Sequence, residues 1–511
     1  MSSQKGLRWR KPALKPILTS QANKQVVNVV DEEGEEPLSP SARLFHEPNF
    51  NVYIIAIMGC KNRIYPDLIR ANLGHTLLRH PRFSSLQVED RNGKLKWART
   101  EVDLEKHVIV PEPEPNSIEF PDEWVEDYIS NLSKTTIDRS QQPLWDLHLL
   151  NIKTSDAEAT VVLRIHHSLG DGSSLMSLLL ACTRQISNPD ALPTIPSKKK
   201  NQLSLCGSGA GRIQRWIVRL WWFTVLIWNT VVDVFKFAVT AVFLMDTETP
   251  LKASPGVELR PRRFVYRTIS LDDIKLIKNA MNATVNDVAL GITQAGLSRY
   301  LNCKYGEMRR SSGTAEVENN LPKNIRLRST LLMNLRPAAG IQALANMMEK
   351  NTEAKWGNWI GYVLLPIDIA LHQNPLEYVR RAKTTVDRKK HSLEAIYTFS
   401  IAEVVLKLFG IKRASALSRR VIMHTTMCFS NLVGPVEEIG FYGHPMTFLA
   451  PGCYGQPHGL MINFQSYVNK MTFVVSADED TIPDPHQLCQ DIVKSLELIR
   501  DAVKEPRARQ T

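Results

Sequence analysis

The feature that most limits how this chain can fold is a strand, a tight turn and a helix in succession around two adjacent histidines. Residues 159–165 form a mostly apolar run that predicts a buried strand, and Gly170 and Gly172 predict a tight turn. Residues 173–182 then carry leucines at helical spacing. The sequence therefore predicts that His166 and His167 lie at a rigid junction between a strand and a helix.

This strand–helix junction carries residues suited to activating a hydroxyl group. An alcohol is almost un-ionised at neutral pH, and a positioned neutral imidazole can take its proton as the new bond forms, which is worth about 10²–10⁴ in rate. We assign the catalytic site to His166, His167, Asp171 and Gly172, with His167 as the base. Asp171 is expected to hold an arginine or backbone donors and so orient the imidazole. Gly172 is expected to permit close backbone approach or a positive φ.

A zinc site is the competing interpretation of two histidines. Adjacent histidines lack the i, i+4 spacing of the HExxH zinc motif, and the sequence contains no CxxC pair. We therefore predict no metal in the site.

Further motifs are spread over residues 37–477, and each is weak alone but specific in this order. They are Pro37-Leu38-Ser39-Pro40, Ala42-Arg43-Leu44-Phe45, Pro143-Leu144-Trp145-Asp146, Asn286-Asp287, Met333-Asn334-Leu335-Arg336-Pro337, Gly357-Asn358-Trp359-Ile360-Gly361 and Ser430-Asn431-Leu432-Val433-Gly434-Pro435. With these motifs and the histidine string, the chain resembles the CoA-dependent acyltransferase superfamily. Within it the chain resembles the plant-type wax ester synthase/diacylglycerol acyltransferase branch.

The resemblance implies an α/β fold of two chloramphenicol-acetyltransferase-like domains, with the active site at their interface. It implies an O-acyltransferase that moves a fatty acyl group from acyl-CoA to a long-chain fatty alcohol or to diacylglycerol, giving wax ester or triacylglycerol. In such enzymes the activated acceptor attacks the thioester directly, so no acyl-enzyme intermediate forms. Acyl-CoA is then a co-substrate, and no cofactor is expected.

Charge and cysteine content limit the partners and the compartment. The formal net charge is +11, which suits the phosphates of CoA and an anionic membrane surface. The sequence has no finger, RNP or basic-aromatic motif, so nucleic acid is not an expected partner. The seven cysteines are odd in number and scattered, which favours reduced thiols on the cytosolic side of a membrane. The oligomeric state is left open.

Composition divides the chain into five segments. They are a charged N-terminal tail without a secretory signal, the domain with the histidines, a linker, a second acyltransferase domain and a short tail, at residues 1–36, 37–191, 192–254, 255–505 and 506–511. Near the end, residues 471–477 predict a strand, and Pro485 predicts the start of a helix. The apolar face of that helix is Leu488, Ile492, Leu496, Ile499 and Val503.

An apolar segment within the linker, residues 220–245, predicts contact with membrane lipid. It holds three tryptophans, and Asp233 and Lys236 are its charged residues. A single crossing would place the two domains on opposite sides of the bilayer, which a joint active site forbids, so we expect the segment to lie in or dip into one leaflet. A helix packed against the protein's own core is the alternative. The expected location is the endoplasmic reticulum membrane with cytosolic catalytic domains, and the plasma membrane is the second choice.

Asn286 and Asp287 lie at a predicted helix start in the second domain. Thr284 predicts the N-cap, and Asp287 predicts the acidic half of a capping box. Asn286 at this helix start is placed to polarise the thioester carbonyl, where charge develops in the transition state.

Three further residues are candidates with ordinary competing interpretations. Ser430 and Asn431 are expected to bind substrate near the acceptor tunnel, although a turn before Gly434 would also explain them. Arg336 is the candidate partner of Asp171, and a solvated surface arginine is its alternative.

Two other functions stay open on the sequence alone. One is an acyltransferase for small phenolic or amine acceptors, or an isolated condensation domain, but the sequence has no Asp-Phe-Gly-Trp-Gly run and no carrier domain. The other is a catalytically inactive relative that binds lipid or acyl-CoA, which the intact histidine pair disfavours.

Overall fold

The computed structural model describes residues 36–91, 93–113, 118–196, 212–313, 317–335, 340–350, 356 and 360–508. The strands are β1 Glu36–Pro37, β2 Tyr53–Cys60, β3 Ser85–Glu89, β4 Leu95–Arg99, β5 Val108–Ile109, β6 Trp145–Leu150, β7 Ala159–His166, β8 Thr183–Gln185, β9 Arg262–Ser270, β10 Leu327–Asn334, β11 Ile360–Ile367, β12 Met427–Leu432, β13 Ile439–Phe441, β14 His444–Tyr454, β15 Leu460–Tyr467 and β16 Lys470–Asp478. The helices are α1 Pro40–Leu44, α2 Pro66–His75, α3 Leu104–His107, α4 Pro121–Leu132, α5 Gly172–Ala181, α6 Arg212–Val242, α7 Leu271–Ala280, α8 Val285–Ser311, α9 Ile341–Lys350, α10 Leu376–Lys390, α11 Glu394–Met423 and α12 Pro485–Ala508.

The first sheet has seven strands in the order β5-β6-β7-β2-β14-β13-β8. β2 pairs antiparallel with β7 on one side, where Tyr53 lies opposite His166, and with β14 on the other, where Tyr53 lies opposite Tyr454. All of β7 is buried, as its apolar run predicts. A strand covered on both faces gives the histidine pair at its end a fixed position.

The second sheet has six strands in the order β11-β10-β12-β15-β16-β9, and a small third sheet has the order β1-β4-β3. β12 runs parallel to both of its neighbours, β10 and β15. The apolar residues of this half form a core separate from that of the first sheet. The α/β class and the two-domain architecture are therefore confirmed.

Strand pairing crosses the predicted domain boundaries. β13 and β14 belong to the predicted second domain at residues 255–505, yet they complete the first sheet. α9 also packs against α5 of the first domain. The first domain is therefore built from two separate stretches of the chain, so its limits are not residues 37–191 alone.

Local signals placed several elements correctly. Ser270 caps α7 by accepting from Asp273 N at 3.2 Å, and α8 begins with the predicted capping box and runs to Ser311. β16 and α12 lie where they were predicted, and Trp145 is fully buried. The predicted apolar face of α12 is buried throughout.

The apolar segment at residues 220–245 lies in α6 and the turn after it. One face of α6 docks on the second domain, where buried Asp233 forms ion pairs with Arg388 and Lys389. Phe237 packs beside Leu364 and Val421 on the same face. Another face leaves large apolar side chains exposed, among them Trp216, Leu220, Phe223, Trp228, Val231 and Phe235. α6 therefore combines packing on the protein with an exposed apolar face.

Candidate active site

His167 is held at the end of β7 by main-chain and aromatic contacts. It opens a short 3-10 turn, His167–Leu169, and its backbone N–H donates to the Val52 carbonyl at 2.8 Å. The Phe45 ring stacks on the imidazole with a centroid separation of 4.2 Å. Because Val52 lies just before β2, the first sheet itself fixes this histidine.

His166 serves to position the turn. Its Nε2 donates to Asn51 Oδ1 at 2.9 Å and lies 3.1 Å from the Phe45 carbonyl oxygen, while its Nδ1 accepts from Ser168 Oγ at 2.7 Å. Both ring nitrogens are thus engaged with protein groups, and the ring is buried. The structure gives His166 a positioning role beside His167.

Burial keeps the imidazole of His167 neutral. Removal from water lowers the pKa of His167, because the charged form loses hydration. A hydrogen bond to its own main-chain carbonyl and the charge of Asp171 partly offset this decrease. A neutral imidazole has one ring nitrogen with a free lone pair, and that nitrogen can accept a proton.

Asp171 is the N-cap of α5. Its Oδ1 accepts from the backbone N–H of Ser174 at 2.9 Å and from Ser173 Oγ at 2.9 Å. The Ser174 N–H is a backbone donor of the kind expected for Asp171, whereas Ser173 donates its side-chain hydroxyl. Arg336, its predicted partner, lies outside the described residues.

The role expected of Gly172 belongs to Gly170. Gly172 is the first residue of α5, with φ outside the left-handed region, and a Cβ there would meet nothing within 4 Å. At Gly170 a Cβ would lie 2.8 Å from the Trp356 ring, whose Nε1 donates to the Leu169 carbonyl at 2.5 Å. The prediction of a close approach at Gly172 was therefore wrong, because the close approach occurs at Gly170.

The His167 ring lines a largely apolar cavity of about 170 Å³ that both domains build. The first domain contributes Phe45, Phe50, Val52 and, from the end of β14, Cys453, and the second contributes side chains from β10, β11, α11, β12 and β15. The predicted site at the domain interface is confirmed in this sense. Within the described ranges, no group of three or more His, Cys, Asp or Glu side chains is placed to hold a metal ion.

The wall facing His167 carries polar residues that sequence reasoning missed. Gln456 and His458 follow β14 and line the cavity, together with Thr330. Burial lowers the pKa of His458 to about 3, and its Nε2 lies 2.8 Å from Thr425 Oγ1. The available signal was a Gln and a His set among glycines and a proline between two strands, which marks a turn at a sheet edge.

Asn286 and Asn431 meet in the second domain, and Ser430 precedes Asn431 on β12. Asn431 Nδ2 donates to Asn286 Oδ1, so two of the three predicted substrate-binding residues are in contact. None of the three side chains lines the His167 cavity. Cys428 does line it, and Ser430 lies on the same face of the strand as Cys428. Asp287 Oδ2 accepts from Thr284 N at 2.7 Å, which completes the capping box and is a structural role.

Comparison with known proteins identifies related chains over nearly the whole length. Residues 61–289 match the wax ester synthase/diacylglycerol acyltransferase catalytic domain, and residues 356–500 match the WS/DGAT C-terminal domain. Wax ester synthase/diacylglycerol acyltransferase 11 of Arabidopsis thaliana is 52% identical over 472 residues, which covers 92% of this chain and 96% of that protein. Wax ester synthase/diacylglycerol acyltransferase 5 of the same plant is 51% identical over 492 residues, covering 94% and 96%.

A solved structure has the same fold. The wax ester synthase/diacylglycerol acyltransferase from Marinobacter aquaeolei VT8 superposes with a TM-score of 0.57, covering 92% of this chain and 100% of that one. Sequence identity in that superposition is 17%, so the likeness is one of fold.

Proposed function

Because this chain belongs to the wax ester synthase/diacylglycerol acyltransferase family, it is an acyltransferase, and we propose that it moves a fatty acyl group from acyl-CoA to a long-chain alcohol or to diacylglycerol. The observation that carries the proposal is the neutral, buried ring of His167 on the wall of an apolar cavity between the domains. An apolar cavity suits an alkyl chain, and a neutral imidazole on its wall can take a proton from a bound hydroxyl group.

The chemistry proceeds in one complex of enzyme, acceptor and acyl-CoA. The His167 imidazole removes the proton of the acceptor hydroxyl while the acceptor oxygen forms a bond to the thioester carbonyl carbon. The carbon–sulfur bond then breaks, and the imidazolium returns the proton to the CoA sulfur. Phe45 and the His166 contacts hold the ring in place, and no further cofactor takes part.

Helix α6 supports a membrane location for the enzyme. Within the described residues one helix, Trp216–Val242, has the length and apolar content to span a bilayer, and 28% of its apolar window is buried in the protein. Asp233 is buried against the second domain, and both domains share the cavity, so α6 lies in one leaflet and does not cross it. We propose that the enzyme works at the endoplasmic reticulum membrane with both domains in the cytosol, and the plasma membrane is the second choice.

A microsomal assay tests the function. Membranes containing the chain receive radiolabelled palmitoyl-CoA with hexadecanol or diolein, and labelled ester is measured. His167→Ala should lower ester formation by about 100-fold or more, which is the usual contribution of a general base. His444→Gln is the matched control, because His444 is also buried but does not line the cavity. Equal activity of His167→Ala and wild type would exclude this mechanism.

A further inference from the structure

Helix α11 is a hairpin of two arms that meet at Gly410. Gly410 has φ 78° and ψ 175°, which ends one helix and starts another. The first arm is residues 394–409, and the second arm is residues 411–423. The arms lie side by side, since Thr398 of the first and Val421 of the second border the same small void next to Phe237. We call this element the α11 hairpin.

The inner side of the α11 hairpin forms a wall of the His167 cavity. The side chains that line it are Phe399, Ala402, Glu403 and Leu406 from the first arm and Ile411, Ala414, Ser418 and Ile422 from the second. From Ile411 to Ile422 this wall is about 16 Å long at 1.5 Å per residue. The cavity therefore extends from His167 toward the tip of the hairpin, and most of the side chains on this wall are apolar.

The tip of the α11 hairpin is apolar and exposed. Leu408 is 70% exposed and Phe409 is 63% exposed. Exposed cations flank them at Lys407, Lys412 and Arg413. Apolar side chains with cations at their edge are typical of segments that enter the headgroup region of an anionic bilayer.

We propose that the α11 hairpin dips into the membrane and that the lipid acceptor enters the His167 cavity between its two arms. The inference rests on the proposed function, because it assigns a route to the acceptor of that reaction. Three observations favour a bilayer as the partner of the tip: its apolar side chains, the cations beside them and the apolar cavity directly behind it. The acceptor hydroxyl then reaches His167 while the alkyl chain stays in apolar surroundings, and its methylenes are never exposed to water.

The test separates the membrane route from the chemistry by delivering one acceptor in two ways. Hexadecanol is supplied either in vesicles of phosphatidylcholine with a minor fraction of phosphatidylserine or as a soluble cyclodextrin complex. The double variant Leu408→Asp/Phe409→Asp should lose about 10-fold or more of its rate with vesicles but little with cyclodextrin. It should also sediment less with the vesicles. The control Phe120→Asp/Met308→Asp changes two exposed apolar residues elsewhere and should match wild type in both assays.

Two results would overturn the proposal. One is an unchanged ratio of the vesicle rate to the cyclodextrin rate in the hairpin variant, which includes an equal loss in both assays. The other is unchanged sedimentation with vesicles, which would show that the tip does not contribute to membrane binding. A wild-type enzyme that is inactive with either form of hexadecanol would count against the proposed function alone, and the sedimentation result would still decide the role of the hairpin.

Discussion

Removal of the Asp233 carboxylate should destabilise the protein, because it docks α6 on the second domain. The Asp233 side chain is 0% exposed and pairs with Arg388 and Lys389. Lys389 Nζ also lies 2.6 Å from Glu394 Oε2, so two cations and two anions balance. Asp233→Ala would leave Lys389, which is 8% exposed, with one anion fewer, whereas Arg388, which is 34% exposed, can turn to solvent.

The expected loss follows from the cost of an uncompensated buried charge. Removal of one partner from a buried ion pair costs about 3–5 kcal/mol. We expect the lower end, about 3 kcal/mol, because Glu394 still neutralises Lys389. An unfolding entropy of about 2.1 cal/mol/K per residue gives about 1 kcal/mol per kelvin for a chain of this length, so the Tm should fall by about 3 °C.

Thermal unfolding of the purified chain in mild detergent measures this shift. The double variant Asp233→Leu/Arg388→Leu leaves the Lys389–Glu394 pair neutral and should recover the Tm to within about 1 °C. Asp272→Ala is the control, because it breaks an exposed pair with Lys275 and should change the Tm by less than about 1 °C. A shift below about 1 °C for Asp233→Ala, or a double variant less stable than the single one, would refute the docking of α6 by charge.

Further predictions concern pH and one glycine. The acid limb of kcat/KM should lie below pH 6.5, because burial lowers the pKa of His167, and a limb above that value would contradict a buried base. Stability should fall as the pH falls below about 6.5, because burial lowers the pKa of His46 to about 4 and of His458 to about 3, so the unfolded chain binds more protons than the folded one. Denaturant unfolding at about pH 7 and about pH 5 measures this difference, and equal stability at the two pH values would contradict it. Gly455→Ala should lower both the Tm and the turnover, because Gly455 has φ +84° and a Cβ there would lie 1.9 Å from the Asn51 carbonyl oxygen, beside the histidine turn. An unaltered Tm and an unaltered turnover would contradict this prediction.

Features set by neighbouring residues could be predicted from the sequence. The caps at Ser270 and Thr284, the buried face of α12 and the strand before His167 each depend on a few residues in one stretch of chain. Their periodicity and capping chemistry are visible without knowledge of the fold. The position of His167 at the end of a rigid element was predictable for the same reason.

Features set by distant contacts could not be predicted in this way. β14 joins the first sheet because Tyr454 pairs with Tyr53, far away in the chain. That pairing also brings Gln456 and His458 to the cavity, which explains why the sequence did not indicate them. Likewise, the close approach occurs at Gly170 because the Trp356 ring lies there, and no local pattern records such a contact.

Paired single-turnover measurements test the central claim directly. Purified enzyme in excess is mixed with labelled palmitoyl-CoA, first without acceptor and then with hexadecanol, and both protein and ester are analysed for label. Direct transfer with His167 as base predicts no labelled protein without acceptor, rapid ester formation with hexadecanol, and a rate about 100-fold or more slower in His167→Gln with unchanged palmitoyl-CoA binding. Labelled protein before the acceptor is added, or equal ester formation by His167→Gln, would contradict the account.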